Sequence, residues 1–210
     1  MSDWPLTVAA RATRTHGRRT LAKLLDAAEA ELGAHGYHGA RMVRIAKAAG
    51  VAHGTVYVYF RDKADLLAAL QLDVDAELRA ALLAMPELRA DAEGAGELRQ
   101  WASAVCAVFQ HRGAVLQALA EALNEDEQSP AGRAALRSLQ VTTRHMADRL
   151  RAACGASPEF DPEIAALCLF ALVEGANRAV FRGELEASGT QLADEIARFV
   201  QQVAHPPTLG

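Results

Sequence analysis

The sequence predicts an all-α protein, and two observations carry that expectation. Of the 210 residues, 51% are hydrophobic but only 5% are aromatic, with alanine and leucine abundant and no β-branched runs. That composition favours helices. Apolar residues also recur every three or four positions, the period of an amphipathic helix. The length suits one larger domain or two small ones, and no internal repeat stands out.

The elements follow in order. Residues 1–17 read as a flexible basic arm, and Arg11, Arg14, Arg18 and Arg19 lie at or just after it. The first helix is expected from about Arg18 to His35, because Leu21, Leu24, Leu25, Ala28 and Leu32 share one face. Gly36 ends it. Two short helices are expected between Met42 and Tyr59. Ile45, Ala49, Val51 and Val56 converge between them, Ala46 is small where they cross, and Gly50 suits a left-handed turn. Asp62 caps a further helix, with Asp65 in its first turn, running from Lys63 to about Leu83 before Met85-Pro86.

Beyond it, Ala90 to Gly96 reads as a loop. Trp101, Val105, Val108 and Phe109 line a helix that is expected to break at His111-Arg112-Gly113, before Val115, Leu116 and Leu119. Glu125-Asp126-Glu127 reads as a solvated loop rather than a metal site. Ser129-Pro130, Ser157-Pro158 and Asp161-Pro162 each place a capping side chain before a proline suited to a first helical turn. Helices are expected over about 130–153, 161–182 and 188–204, with a tail at 205–210.

Two crossed helices joined by a short glycine turn form a helix-turn-helix, a unit that sets its second helix in the major groove of DNA. Here the second helix offers His53, Gly54, Thr55 and Tyr57 to the bases. His53 and Thr55 exchange hydrogen bonds, and Gly54 permits close approach. Arg41, Arg44, Tyr59 and Lys63 are expected on the phosphate backbone. The charge distribution agrees. Residues 1–65 hold 10 Lys/Arg and 6 Asp/Glu and the remainder 12 and 20, although the whole chain is at −4. A basic head on an acidic body docks one end on phosphate.

The segment from about residue 18 to 67 resembles the N-terminal domain of TetR-family transcriptional regulators. The resemblance rests on Ala27-Ala28, Leu32, Gly36-Tyr37, Ile45-Ala46 and Ala49-Gly50-Val51, then on Gly54-Thr55-Val56-Tyr57-Val58-Tyr59-Phe60, Lys63 and Leu66-Leu67. It departs from the family in Gly33, where an aromatic is usual. It departs again in Ala40-Arg41 and Ala52, where Ser or Thr opens both motif helices. Lost caps cost typically ~1 kcal/mol each. The resemblance implies a DNA-binding domain over 18–65 and a helical ligand-binding and dimerisation domain over 66–204. It implies a homodimer joined through the helices at about 161–182 and 188–204, on a palindromic operator of double-stranded DNA.

Ala165 to Phe181 is apolar nearly all round, as suits a helix shared between a core and a partner subunit. Glu174 and Asn177 interrupt it. They are read either as an interior or interfacial polar pair or as anchors for a small, largely apolar effector. Trp101, Val105, Phe109, Leu116, Met146, Leu150 and Phe170 are candidate walls, or equally simple core.

Other functions find less support. No Gly-rich phosphate loop, nucleophile elbow or His-Glu zinc motif is present, so no enzyme, cofactor or metal is expected. Cys106, Cys154 and Cys168 are unpaired by spacing and suit a reducing cytoplasm. No apolar stretch reaches ~18 uncharged residues and no secretory leader is apparent, so neither membrane spans nor export are expected. The expected function is a repressor released by its effector. The alternatives are a DNA-binding regulator without a sensor, and a helical enzyme or binding protein with a vestigial head.

Overall fold

The computed structural model describes residues 15–123, 130–154 and 161–205. Among them are eight helices and no strand, as an all-α reading requires: α1 (Thr15–Gly39), α2 (Met42–Ala48), α3 (His53–Tyr59), α4 (Lys63–Leu83), α5 (Ala92–Leu123), α6 (Pro130–Cys154), α7 (Pro162–Phe181) and α8 (Gly189–Ala204). Arg11, Arg14, the acidic run 125–127, Ser129, Ser157-Pro158 and the tail from 206 lie outside the described residues. Arg18 and Arg19 sit on α1 and are exposed, since that helix already begins at Thr15.

Helix ends follow local chemistry. Gly36, at φ 64°, interrupts α1. Gly50, at φ 69°, closes α2: its N–H donates to Lys47 O (3.1 Å) and that of Val51 to Ala46 O (3.0 Å). This paired closure satisfies carbonyls the helix leaves open. Asp62 Oδ1 accepts from Asp65 N (2.8 Å) at the start of α4. Asp161 accepts from Glu163 N (2.9 Å) and Ile164 N (3.3 Å) at the start of α7. Ser188 and Gln191 exchange side-chain and backbone bonds at the start of α8.

Two sequence expectations are corrected. The loop expected over Ala90–Gly96 is helical from Ala92, because Asp91 Oδ1 caps it by accepting from Gly94 N (2.7 Å). The break expected at His111-Arg112-Gly113 is absent, and α5 runs through it. Gly113 is there for space: a Cβ on it would run into the ring of Phe181.

The chain forms two compact units, one gathering residues up to Val74 and the stretch beginning at Ala114, the other Asp75–Gly113 and the chain from Arg133. The first, the head, buries Leu24, Ala28, Leu32, Ile45, Ala46, Val56, Phe60, Leu66, Leu70, Val115, Ala118 and Leu119 in one apolar core. In the second, the body, Met85, Leu98, Val105, Met146, Leu150, Leu169, Val173, Ile196 and Val200 are buried. Within it, Gln201 Nε2 donates to Arg89 O (2.7 Å) and Arg99 pairs with Asp194 (2.9 Å). Helix α7 is long and apolar enough, by length and composition alone, to cross a bilayer, and only 22% of that span is buried. Its Ala166, Leu169, Val173 and Asn177 face inward, while Ile164, Leu167, Cys168 and Leu172 are exposed.

Candidate nucleic-acid interface

The interface is built on the turn between α2 and α3. α2 buries Met42, Ile45 and Ala46, and α3 buries Val56 and Tyr59. What α3 leaves outward is His53, Gly54, Tyr57 and Val58, with Thr55 half-buried. Residues four apart stack on one helix face, so His53 lies beside Tyr57 and Gly54 beside Val58. The four make one continuous arc. The His53 and Tyr57 rings meet edge to face at 5.2 Å, which limits the freedom of both.

Neither motif helix has a side-chain cap: the N-cap residues are Arg41 and Ala52. For α2 the replacement comes from α1. Glu31 Oε1 accepts from Arg41 N (3.1 Å) and Arg44 Nε (2.6 Å), and pairs with Arg44 Nη2 at 2.5 Å. Arg44 Nη2 also donates to Gly39 O (2.5 Å). Sequence reasoning missed Glu31 because it lies ten residues before Arg41, whose N–H it takes. A charged acceptor on neutral donors is a strong hydrogen-bonding partner.

The remaining backbone candidates divide. Arg41 is exposed. Lys63 turns back to α1: its Nζ donates to Tyr37 O, lies 3.4 Å from His38 O and sits 4.3 Å from the centre of the Tyr37 ring. On the other side of the same residue, Glu121 Oε2 accepts from Tyr37 N (2.8 Å). Lys63 thus secures the end of α1 beside the turn. Tyr59 is corrected outright. It is buried and its hydroxyl donates to Gly17 O (3.2 Å), tying α3 to α1. The Tyr-x-Tyr spacing concealed this, since residues two apart on a helix face different ways. Arg61 donates through Nε (3.1 Å) and Nη2 (2.8 Å) to Asp65, whose hydrogen bonds and charge hold its guanidinium above the usual range.

Comparison with known proteins gives this geometry a family. Residues 24–70 match the family described as bacterial regulatory proteins, tetR family. The chain is 46% identical over 48 residues to a fatty acid metabolism regulator protein of Bacillus subtilis and 40% identical over 77 residues to the HTH-type transcriptional regulator BetI of Escherichia coli. Those stretches are 23% and 37% of this chain, and they span only 25% and 38% of the two relatives' own length. Over the fold, a TetR-family transcriptional regulator from Streptomyces coelicolor superposes with a TM-score of 0.65 at 25% identity, covering 89% of this chain and 95% of that one. Residues 24–70 thus carry a tetR-family domain. These relatives are transcriptional regulators and not enzymes.

The body treats the effector candidates differently from the sequence reading. Trp101, Val105, Phe109, Met146 and Leu150 are buried, and Phe170 is half-buried. Leu116 packs against the core of the head unit, so it is no wall of a body site. Glu174 pairs with Arg178 (3.1 Å) and is partly exposed. Asn177 is buried and its Nδ2 donates to Val173 O (2.8 Å). Burial pushes the thiol of Cys106 upward. Two hollows, of about 670 and 360 Å³, are lined by Glu93, Glu97, Arg99 and Gln100 and by Gln140, Thr143, Arg144 and Glu163 among others. None of the effector candidates lines either one. Trp101 Nε1 is buried without an acceptor among the described residues. No group of three or more metal-ligating side chains occurs among the described residues.

Proposed function

We propose that the protein is a cytoplasmic, homodimeric repressor that binds a palindromic operator through α3 and is released by a small, largely apolar effector. The observation that carries the DNA-binding part is the outward arc of His53, Tyr57, Gly54 and Val58 on a closed head core. In this reading His53, Thr55 and Tyr57 meet base edges, Gly54 admits them closely, and Arg41 and Arg44 hold phosphate. Lys63 joins them from the start of α4 while it keeps Tyr37 in place. The exposed strip of α7 supports a dimer, with α8 beside it through exposed Phe199. Two heads one DNA turn apart, ~34–36 Å, read an inverted repeat.

Trp101, Val105, Phe109, Met146 and Phe170 supply the apolar walls, Glu174 and Asn177 the polar groups, and the unbonded Trp101 N–H one donor for an effector acceptor. An effector releases the operator only through a difference in affinity for the two states. The match to the fatty acid regulator spans 48 residues and so does not bear on the body. A second reading, a regulator without a sensor, is favoured by the complete burial of Val105 and Met146.

Selecting bound duplexes from a random pool and footprinting the result tests the proposal. An inverted repeat with two protected halves is expected. Retention of no duplex, or protection without symmetry, removes the operator reading.

A further inference from the structure

The outer face of α3 is unusual in what it lacks. Its sequence, HGTVYVY, contains no Arg, Lys, Asn, Gln, Asp or Glu. Those are the side chains that read guanine or adenine through paired hydrogen bonds, or accept from cytosine. Of the cations near it, Arg44 pairs with Glu31, Arg61 with Asp65 and Lys63 with the Tyr37 carbonyl, which turns them away from base edges, while exposed Arg41 and Lys47 lie off α3. What α3 and α2 do present is apolar surface. Val58 is 60% exposed and Val43 51% exposed. Of the four large hydrophobics exposed in the head unit among the described residues, three (Val43, Tyr57 and Val58) lie on these two seven-residue helices, and Leu72 is the fourth. Single exposed apolar residues are ordinary; this concentration on the groove-facing pair is not.

We infer that the head reads its half-site through the C5-methyl groups of thymine, with Val58 on α3 and Val43 on α2 as the reading side chains. This rests on the operator reading above and specifies what that operator contains. The methyl is the one apolar feature on a base edge in the major groove, and apolar side chains contact it there. Val58 lies one turn from Gly54, where a Cβ would meet nothing within 4 Å, so a base edge has room to bring its methyl against the valine. Valine is stiff about χ1 and loses little freedom in such a contact. The basic balance of residues 1–65 supplies the attraction to phosphate, and the valines add discrimination to that of His53, Thr55 and Tyr57.

The test replaces thymine by deoxyuridine, which removes the methyl alone. An operator is selected from random duplexes with the whole protein, and each thymine of the half-site is substituted symmetrically. Burying one methyl group is worth about fourfold, so a symmetric pair weakens binding by about 15-fold. The salt dependence of binding is expected to stay the same, because no phosphate contact changes. Val58→Ala or Val43→Ala is expected to bring the deoxyuridine penalty at its own position close to onefold while both variants still bind. Both positions are exposed, and circular dichroism checks that the variants fold. A selected operator indifferent to deoxyuridine at every thymine overturns the inference alone, as does a penalty that survives both variants. Failure to select any duplex removes the DNA-binding reading and this inference with it.

Discussion

Helices α3 and α7 both present apolar side chains to solvent, and the contrast between them separates two kinds of partner. α3 is seven residues long, and its outward valine shares a short arc with His53, Gly54 and Tyr57. Beneath it Ile45, Val56 and Phe60 are fully buried, so the head core is closed. α7 is twenty residues long and exposes Ile164, Leu167, Cys168 and Leu172 in one strip. A mixed polar and apolar arc fits a base-pair edge, which offers donors, acceptors and a methyl. A continuous apolar strip fits another apolar strip, as the centre of a homodimer interface does. In the proposed reading, exposed hydrophobics in one chain therefore carry two meanings, and their neighbours decide which.

The largest expected effect breaks the head side of this contrast. Phe60→Ala empties a fully buried site, and such truncations cost about 3–5 kcal/mol. Thermal melts should show the loss, and operator binding should vanish. A small shift in melting would mean that α3 does not depend on a closed core.

On the body side, Leu167→Glu places a charge in the middle of the α7 strip. The dimer is expected to weaken by ~30-fold or more in sedimentation, as for an interface anchor worth about 2 kcal/mol, with helix content unchanged. An unaltered dimer would move the interface off α7.

Glu31→Ala sharpens the account of the uncapped α2. It removes the acceptor of the Arg41 N–H and leaves Arg44 only its bond to Gly39 O. A loss of about 1–2 kcal/mol is expected from denaturant unfolding, of the size of a lost cap or a charged hydrogen bond. No change would mean that solvent serves α2 as well as Glu31 does.

The smallest effect concerns pH and separates body from head. The Gly94 N–H, followed by the charge of Arg89, holds the Asp91 carboxyl below its ordinary value. A depressed acid contributes stability above its unfolded pKa, ~3.9, and loses it as pH falls through the lower folded value. The group is exposed, so the contribution is slight. Asp91→Asn should flatten that part of the acid limb of the stability profile and leave the neutral region nearly unchanged. A profile identical to that of the unaltered protein would show that the α5 cap carries no pH dependence.

What was legible in the sequence was local. The stops at Gly36 and Gly50 and the starts at Asp62, Asp161 and Ser188 each depend on a few neighbouring residues, and each stands where turn chemistry puts it. What was not legible depends on distant partners. Gly113 reads as a breaker until Phe181 is seen against it. Tyr59 reads as a surface hydroxyl until Gly17 O takes it. Glu31 carries no sign of α2 in its own neighbourhood, and Asp91 was hidden by the small residues that follow it. For Trp101, Val105 and Met146, an apolar face fixes burial but does not tell lining from filling.

The central claim is that two copies of the head, joined through α7, read an inverted repeat. Footprinting a duplex selected by the protein, with the bound stoichiometry measured on the same sample, tests it most directly. The account predicts two protein chains per duplex and two protected half-sites related by two-fold symmetry, their centres ~34–36 Å or a multiple apart. A single chain bound to one asymmetric protected patch would contradict it.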